Sequence, residues 1–212
     1  MTYPRPAQPE PVEAHAPTVG LDATPKPRQT HRMVRPFLAP LAALCALVAA
    51  AAQAELPVGA QAPAFATQGA IAGKPFGFDL NAALRRGPVV LYFFPKAFTA
   101  GCTQEAHAFA EASDRFRAAG ATIVGMSNDG LPALLKFSVS DCRNKFAVAS
   151  ATPAIVTAYD VDLKQGGVST GLTKRTSYVI ARDRRIVLVH SDMDYRDHVK
   201  LTLAAVQRLR GK

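Results

Sequence analysis

The sequence predicts an α/β domain: a mixed central β-sheet flanked by helices on both faces. Three observations carry that prediction. Strand-like runs and helix-like periodicities alternate through the middle of the chain. The first run, VVLYFF at residues 89–94, is continuously apolar and rich in β-branched and aromatic residues, as a strand buried on both faces requires. Two late runs, TSYVIA and RIVLVHS, are joined by three residues, RDR, and are close enough for a hairpin. Early alternation with a late hairpin implies a sheet that is neither purely parallel nor purely antiparallel.

Each element follows from its own residues. Residues 56–69, LPVGAQAPAFATQG, read as extended chain punctuated by Pro57 and Pro63. The strand at 89–94 stops at Pro95, which cannot donate to a sheet ladder. Phe109, Ala112 and Phe116 recur at helical spacing in a helix that ends at Gly120. ATIVGMS is the next strand. Leu131, Leu134, Leu135, Val139, Cys142 and Phe146 trace one stripe of a second helix. Residues 153–159 read as a helical turn, and 161–174 as a polar, glycine-containing loop. The hairpin follows, then a closing helix over 197–210 that Asp197 can cap. There is no internal repeat and no second folded domain.

The front of the chain reads differently. Residues 1–32 are rich in Pro, Ala, Thr and Gln and have almost no large apolar side chains, so they cannot offset their ordering entropy. We expect a disordered or mis-called leader there, with Met33 the true start. Residues 33–54 have the form of a signal peptide: Arg35 supplies a basic start, residues 37–52 an uncharged apolar run, and Ala52-Gln53-Ala54 a small-x-small cleavage site ahead of Glu55. Export in an unfolded state, to the periplasm or beyond, is the expectation. An uncleaved anchor through residues 37–52 is the minor alternative, since the run is short and holds Pro40. The working domain is then 55–212.

The 212-residue chain carries a formal net charge of +9, but its Lys and Arg are scattered and not interleaved with aromatics, which argues against a nucleic-acid partner. The five histidines have no metal-ligand spacing, so no metal and no cofactor is expected; His107, His190 and His198 read as ordinary polar residues.

Chemistry concentrates at residues 95–102, PKAFTAGC. Thr99 is a fair helix N-cap and Gly101 permits close backbone approach, so Cys102 falls in the first turn of the helix. There its sulfur meets unsatisfied N–H groups and the positive end of the helix dipole. Thiolate, not thiol, is the nucleophile, and such a position with a nearby cation favours it. Position alone fits a small buried side chain equally well.

PKAFTAGC has the P-x-x-x-T-x-x-C form of the peroxiredoxins, and the chain resembles that family over residues 56–212. The stretch YFFPKAFTAGCTQEAHAF is most similar to the bacterioferritin-comigratory, or Q-type, branch; VGAQAPAF and KRTSYVI resemble two further stretches of it, with Ser177 and Tyr178 in place of Thr and Phe. The resemblance implies a thioredoxin-like fold and a thiol peroxidase acting on hydrogen peroxide and small organic hydroperoxides. It implies Cys102 as the attacking, peroxidatic sulfur; Thr99 bonding that sulfur and a peroxide oxygen; Pro95 shielding the sulfenic acid; Arg175 holding the thiolate and the peroxide; and Glu105 orienting the arginine. An external dithiol, thioredoxin-like or glutaredoxin-like, would reduce the enzyme, and the protein would be a monomer or weak dimer.

The sequence departs from this branch where many members carry a second cysteine, five residues after the first: here that position is His107. Cys142 is the remaining candidate to resolve the sulfenic acid as an intramolecular disulfide; an inert core thiol with one-cysteine chemistry and an intermolecular bridge stay open. The absence of a C-x-x-C argues against a thioredoxin-type oxidoreductase. A non-catalytic binding or chaperone module of the cell envelope is the rival from another class.

Overall fold

The computed structural model describes residues 55–210. The leader and signal-peptide readings therefore lie outside the described residues. Nine strands and five helices alternate: β1 (Ala66–Ile71), β2 (Lys74–Asp79), α1 (Leu80–Arg86), β3 (Val89–Phe93), α2 (Ala100–Ala118), β4 (Thr122–Ser127), α3 (Leu131–Ser140), β5 (Ala147–Ser150), α4 (Pro153–Ala158), β6 (Asp162–Gln165), β7 (Val168–Thr173), β8 (Thr176–Ile180), β9 (Ile186–Ser191) and α5 (His198–Arg210), the last preceded by a single 3-10 turn, Tyr195–Asp197. Seven strands form one sheet in the order β2-β1-β5-β4-β3-β8-β9; β6 and β7 make a separate hairpin. β3, β4 and β5 run parallel to one another, whereas β1 is antiparallel to β5 and β8 is antiparallel to β3 and to β9. This is the mixed sheet the sequence predicts.

β3 divides the interior. All five of its residues are buried, and its side chains alternate between two apolar clusters. Val90 and Tyr92 face Phe109 and Phe116 of α2, Leu134 and Phe137 of α3 and Leu203 and Val206 of α5. Val89, Leu91 and Phe93 face Leu80 and Leu84 of α1 and Ile155 of α4. Helices on both faces explain why the run at 89–94 has no polar positions.

Four readings need correction. The extended stretch 56–69 only begins a hairpin: β1 and β2 pair antiparallel around Ala72 and Gly73, both at positive φ (50° and 74°). α1 follows, capped by Asp79, whose Oδ1 accepts from the Ala82 amide at 2.7 Å. The second helix stops at Ser140, so Cys142 lies in the turn beyond it and Phe146 at the entry to β5. The Asp141 and Cys142 amides both return to the Phe137 carbonyl at 3.0 Å, closing the helix, and the buried stripe runs through Leu134 and Phe137 while Val139 is 46% exposed. The polar loop 161–174 is the β6–β7 hairpin. At the last helix, Asp194 rather than Asp197 supplies the cap, accepting from the Arg196 amide at the start of the 3-10 turn.

Candidate active site

Three segments meet around Cys102 and Arg175. α2 contributes Cys102, its third residue, and Glu105 one turn later. The loop ahead of α2 is pinned by its backbone: the Phe94 amide donates to the Met126 carbonyl at 2.9 Å, and the Ala97 amide donates to Asp129 Oδ2 at 2.7 Å. Ser127 holds that same carboxylate oxygen at 2.9 Å. Phe98 then takes φ 65°, a left-handed conformation unusual for a bulky residue, and reverses the chain into the helix. The second segment begins at Arg175. Because Thr176 pairs with Phe93 across the β3–β8 ladder, Arg175 emerges at the end of the sheet where α2 starts. The third segment is the chain after β9, which presents the Met193 carbonyl.

Arg175 is 4% exposed and its guanidinium is shared three ways. Nε donates to the Met193 carbonyl at 3.0 Å, Nη1 to Glu105 Oε2, and Nη2 to Cys102 Sγ at 3.5 Å. Gly101 makes room: a Cβ there would stand 3.2 Å from Arg175 Nη2, closer than nearly all such contacts. The reading of Gly101 as a close-approach residue therefore holds. Glu105 is fully buried, so it is more than a surface charge complementing a helix dipole. Burial pushes its carboxyl up to about 8, against the opposing pull of Arg175. Burial also works against the Arg175 charge, but Glu105 and Cys102 beside it more than offset this and raise its pKa.

Other expected residues sit less directly. Thr99 occupies the N-cap position in extended conformation but makes no side-chain cap. Its hydroxyl donates back to the Lys96 carbonyl at 3.0 Å, within the turn that Phe98 creates, instead of bonding the sulfur. Pro95 stands partly buried in the same loop. Cys142 is fully buried and belongs to the same apolar cluster as Cys102; both thiols are free. Burial pushes the Cys142 thiol well up, with the Asp141 carboxylate adding to the effect.

Several contributors escaped the sequence reading. Asp129 anchors the loop from 32 residues away. The Tyr92 hydroxyl is buried without a partner. His198 is fully buried, not an ordinary polar residue: Nδ1 lies 2.8 Å from the Ser177 hydroxyl and 3.6 Å from Glu105 Oε1. No motif marks Asp129 or His198, because each acts through a long-range contact. A cleft of about 500 Å³ reaches Arg175, lined by Asp160, Asp162, Lys164, Lys174, Asp192 and Met193 among others.

A buried cation on a first-turn cysteine, backed by a buried carboxylate, is an arrangement that stabilises a sulfur anion and negative charge on an oxygen beside it. Comparison with known proteins agrees with that chemistry. The AhpC/TSA family model matches residues 58–189. A peroxiredoxin of Mycobacterium tuberculosis is 33% identical over 139 residues, 62% of this chain and 86% of the relative. The crystal structure of peroxidoxin BcpB from Mycobacterium tuberculosis superposes with a TM-score of 0.65 at 28% identity, covering 73% of this chain and 98% of that one. Peroxiredoxin Q from Xanthomonas campestris gives 0.59 at 25% identity, over 68% and 90%. The chain belongs to the AhpC/TSA family and is a peroxiredoxin, a thiol-dependent peroxidase on a thioredoxin-like fold.

Proposed function

We propose that Cys102 is the peroxidatic cysteine and that it reduces hydrogen peroxide and small organic hydroperoxides. The observation that carries this reading is the buried contact between Arg175 Nη2 and Cys102 Sγ, 3.5 Å across 73 residues of sequence. The sulfur attacks one peroxide oxygen in line, the O–O bond breaks, water or an alcohol leaves, and Cys102 becomes the sulfenic acid. Three of the five guanidinium N–H groups of Arg175 are engaged with protein partners, which leaves two for the peroxide oxygens. The Thr99 hydroxyl spends its hydrogen on Lys96, so its oxygen accepts from the peroxide O–H. Pro95 and the pinned loop keep water from the sulfenic acid, and Glu105 orients Arg175.

Cys142 resolves the sulfenic acid in this reading. Its turn must open first, since a buried, protonated thiol attacks poorly and a disulfide needs Cα atoms within about 7 Å. The turn is suited to opening: Arg143 and Asn144 hold φ of 49° and 58°, and Arg143 reaches α2 only through an exposed pair with Glu111 at 3.2 Å. An external dithiol then reduces the disulfide. The signal-peptide form of residues 33–54 supports export, and the reading keeps the protein a monomer or weak dimer.

Mass spectrometry after one equivalent of peroxide tests the cycle. A Cys102–Cys142 crosslink is expected; one added oxygen on Cys102 with Cys142 free means a one-cysteine cycle, and a crosslinked dimer means an intermolecular one. Cys102→Ser must abolish peroxide consumption, and retained consumption overturns the assignment. N-terminal sequencing of protein recovered from the cell envelope should begin at Glu55.

A further inference from the structure

His198 and Glu105 face each other in a way the peroxidase chemistry above does not use. His198 opens α5 and is fully buried. Its Nε2 is 3.0 Å from the Asp192 carbonyl, which can only accept, so Nε2 carries the hydrogen. Burial lowers the ring's pKa to about 4, so at neutral pH Nδ1 holds a lone pair and accepts from the Ser177 hydroxyl at 2.8 Å. Glu105 Oε1 points at that same nitrogen from 3.6 Å, is buried, and has no hydrogen-bond partner. Two acceptors confront each other with no hydrogen between them. The other charged or titratable groups near the ring are Arg175 ahead of β8, His190 on β9 with its ring centroid 4.5 Å away, and Asp192 and Asp194 beyond β9. Arg175 spends its Nη1 hydrogen on Oε2, and none of the others donates to Oε1.

Counting charge shows when that gap fills. With Cys102 ionised, the buried cluster holds a thiolate, a carboxylate and one guanidinium, a net charge of −1 that burial opposes. One proton on Oε1 brings the cluster to zero, and donated to Nδ1 in place of the Ser177 hydroxyl hydrogen it gives Oε1 the partner it lacks. Once Cys102 is neutral, only burial opposes the charge balance of Glu105 with Arg175; it holds the carboxyl at about 8, and above that pH the proton leaves.

We propose that Glu105 and His198 form a proton store for the thiol site, filled while Cys102 is ionised and emptied when Cys102 loses its charge. The proposal rests on Cys102 being the attacking sulfur. His198 acts through Glu105 and is a positioning residue. The step balances as Cys102–S⁻ + ROOH + H⁺ → Cys102–SOH + ROH: sulfur gives two electrons to the O–O bond, one oxygen stays on sulfur, and the other leaves as the alcohol. The stored proton matches the one this step consumes, so above the pH at which Glu105 then titrates oxidation draws no net proton from solution.

Proton counting with a pH indicator in weak buffer tests this, just above the pH of about 8 at which the Glu105 carboxyl titrates once Cys102 is neutral, and where ultraviolet absorbance shows the Cys102 sulfur ionised. On adding one equivalent of peroxide to the reduced protein, uptake close to zero per sulfur oxidised is expected; Glu105→Gln should take up one proton. His198→Phe removes the acceptor for Oε1–H, so uptake should rise toward one and the pH at which the store empties should fall. A purely packing role for His198 would leave the count unmoved. Alkylation by iodoacetamide in a Cys45→Ser, Cys142→Ser background gives a second reading that needs no peroxide and no variant of the pair: the thiolate reaction itself releases no proton, so release of one per Cys102 modified is expected. Uptake of one proton by the wild type, no release on alkylation, or a His198→Phe count equal to wild type would overturn the proposal. Failure of peroxide to consume the thiolate would sink the assignment of Cys102 instead, with the alkylation count still deciding the store.

Discussion

Replacing Arg175 with methionine removes the guanidinium while keeping an unbranched side chain of similar reach. Two unit charges 3.5 Å apart at an effective dielectric of ~20 interact by about 5 kcal/mol. The guanidinium also serves Glu105, so the share available to the sulfur and the developing oxyanion is smaller, roughly 3–4 kcal/mol. That corresponds to about 10²- to 10³-fold in rate, the loss typical of removing one oxyanion donor. The fold should survive: burial already pushes the Glu105 carboxyl to about 8, so at neutral pH it takes up a proton instead of standing as a bare buried charge. Stopped-flow loss of thiolate absorbance against peroxide concentration gives the second-order rate, and a thermal melt checks folding. Arg175→Lys should recover less than about tenfold, because one ammonium cannot serve the Met193 carbonyl, Glu105 and the sulfur from a fixed fork. A folded Arg175→Met protein reacting within about threefold of wild type would refute the claim that this contact drives the chemistry.

Gly101→Ala places a methyl 3.2 Å from Arg175 Nη2, and the displaced guanidinium should slow the same reaction by about tenfold with little change in melting temperature. Gly125→Ala tests the core behind the site: its Cβ would meet the Tyr92 ring at 2.8 Å, and urea denaturation should show a loss of about 1–3 kcal/mol. The pH dependence of folding should carry the mark of His198, whose pKa falls from 6.5 unfolded to about 4 folded because burial opposes its charge. The unfolded chain then binds more protons between those values, so stability present above 6.5 is lost as pH drops toward 4. His198→Phe should flatten that part of the curve, and an unchanged curve would show that the ring is not held neutral.

The sulfur, its helix and the loop before it were legible in the sequence because they are local. Pro95, Thr99, Gly101 and Cys102 lie within one turn and one loop, where strand ending, helix start and first-turn N–H groups are set by neighbours in the chain. β3 was legible for a related reason: a strand buried on both faces must be apolar throughout. The second helix misled because Val139 and Cys142 extend an apolar spacing that the backbone abandons at Ser140, where Cys142 turns its amide back to Phe137. The short β1–β2 hairpin and β5 left weak signals, being too brief or too polar to stand out.

By itself the sequence determined the class of fold and the place of Cys102 in a helix's first turn, since these follow from patterning over a few residues, while its resemblance to the peroxiredoxins named the residue types that could serve the sulfur. Which groups actually surround that sulfur was decided by tertiary structure. The β3–β8 register delivers Arg175 across 73 residues, Asp129 pins the loop from the next strand's end, and the start of α5 sets His198 against Glu105. Such meetings arise from strand order and helix packing, and local patterning carries no record of either.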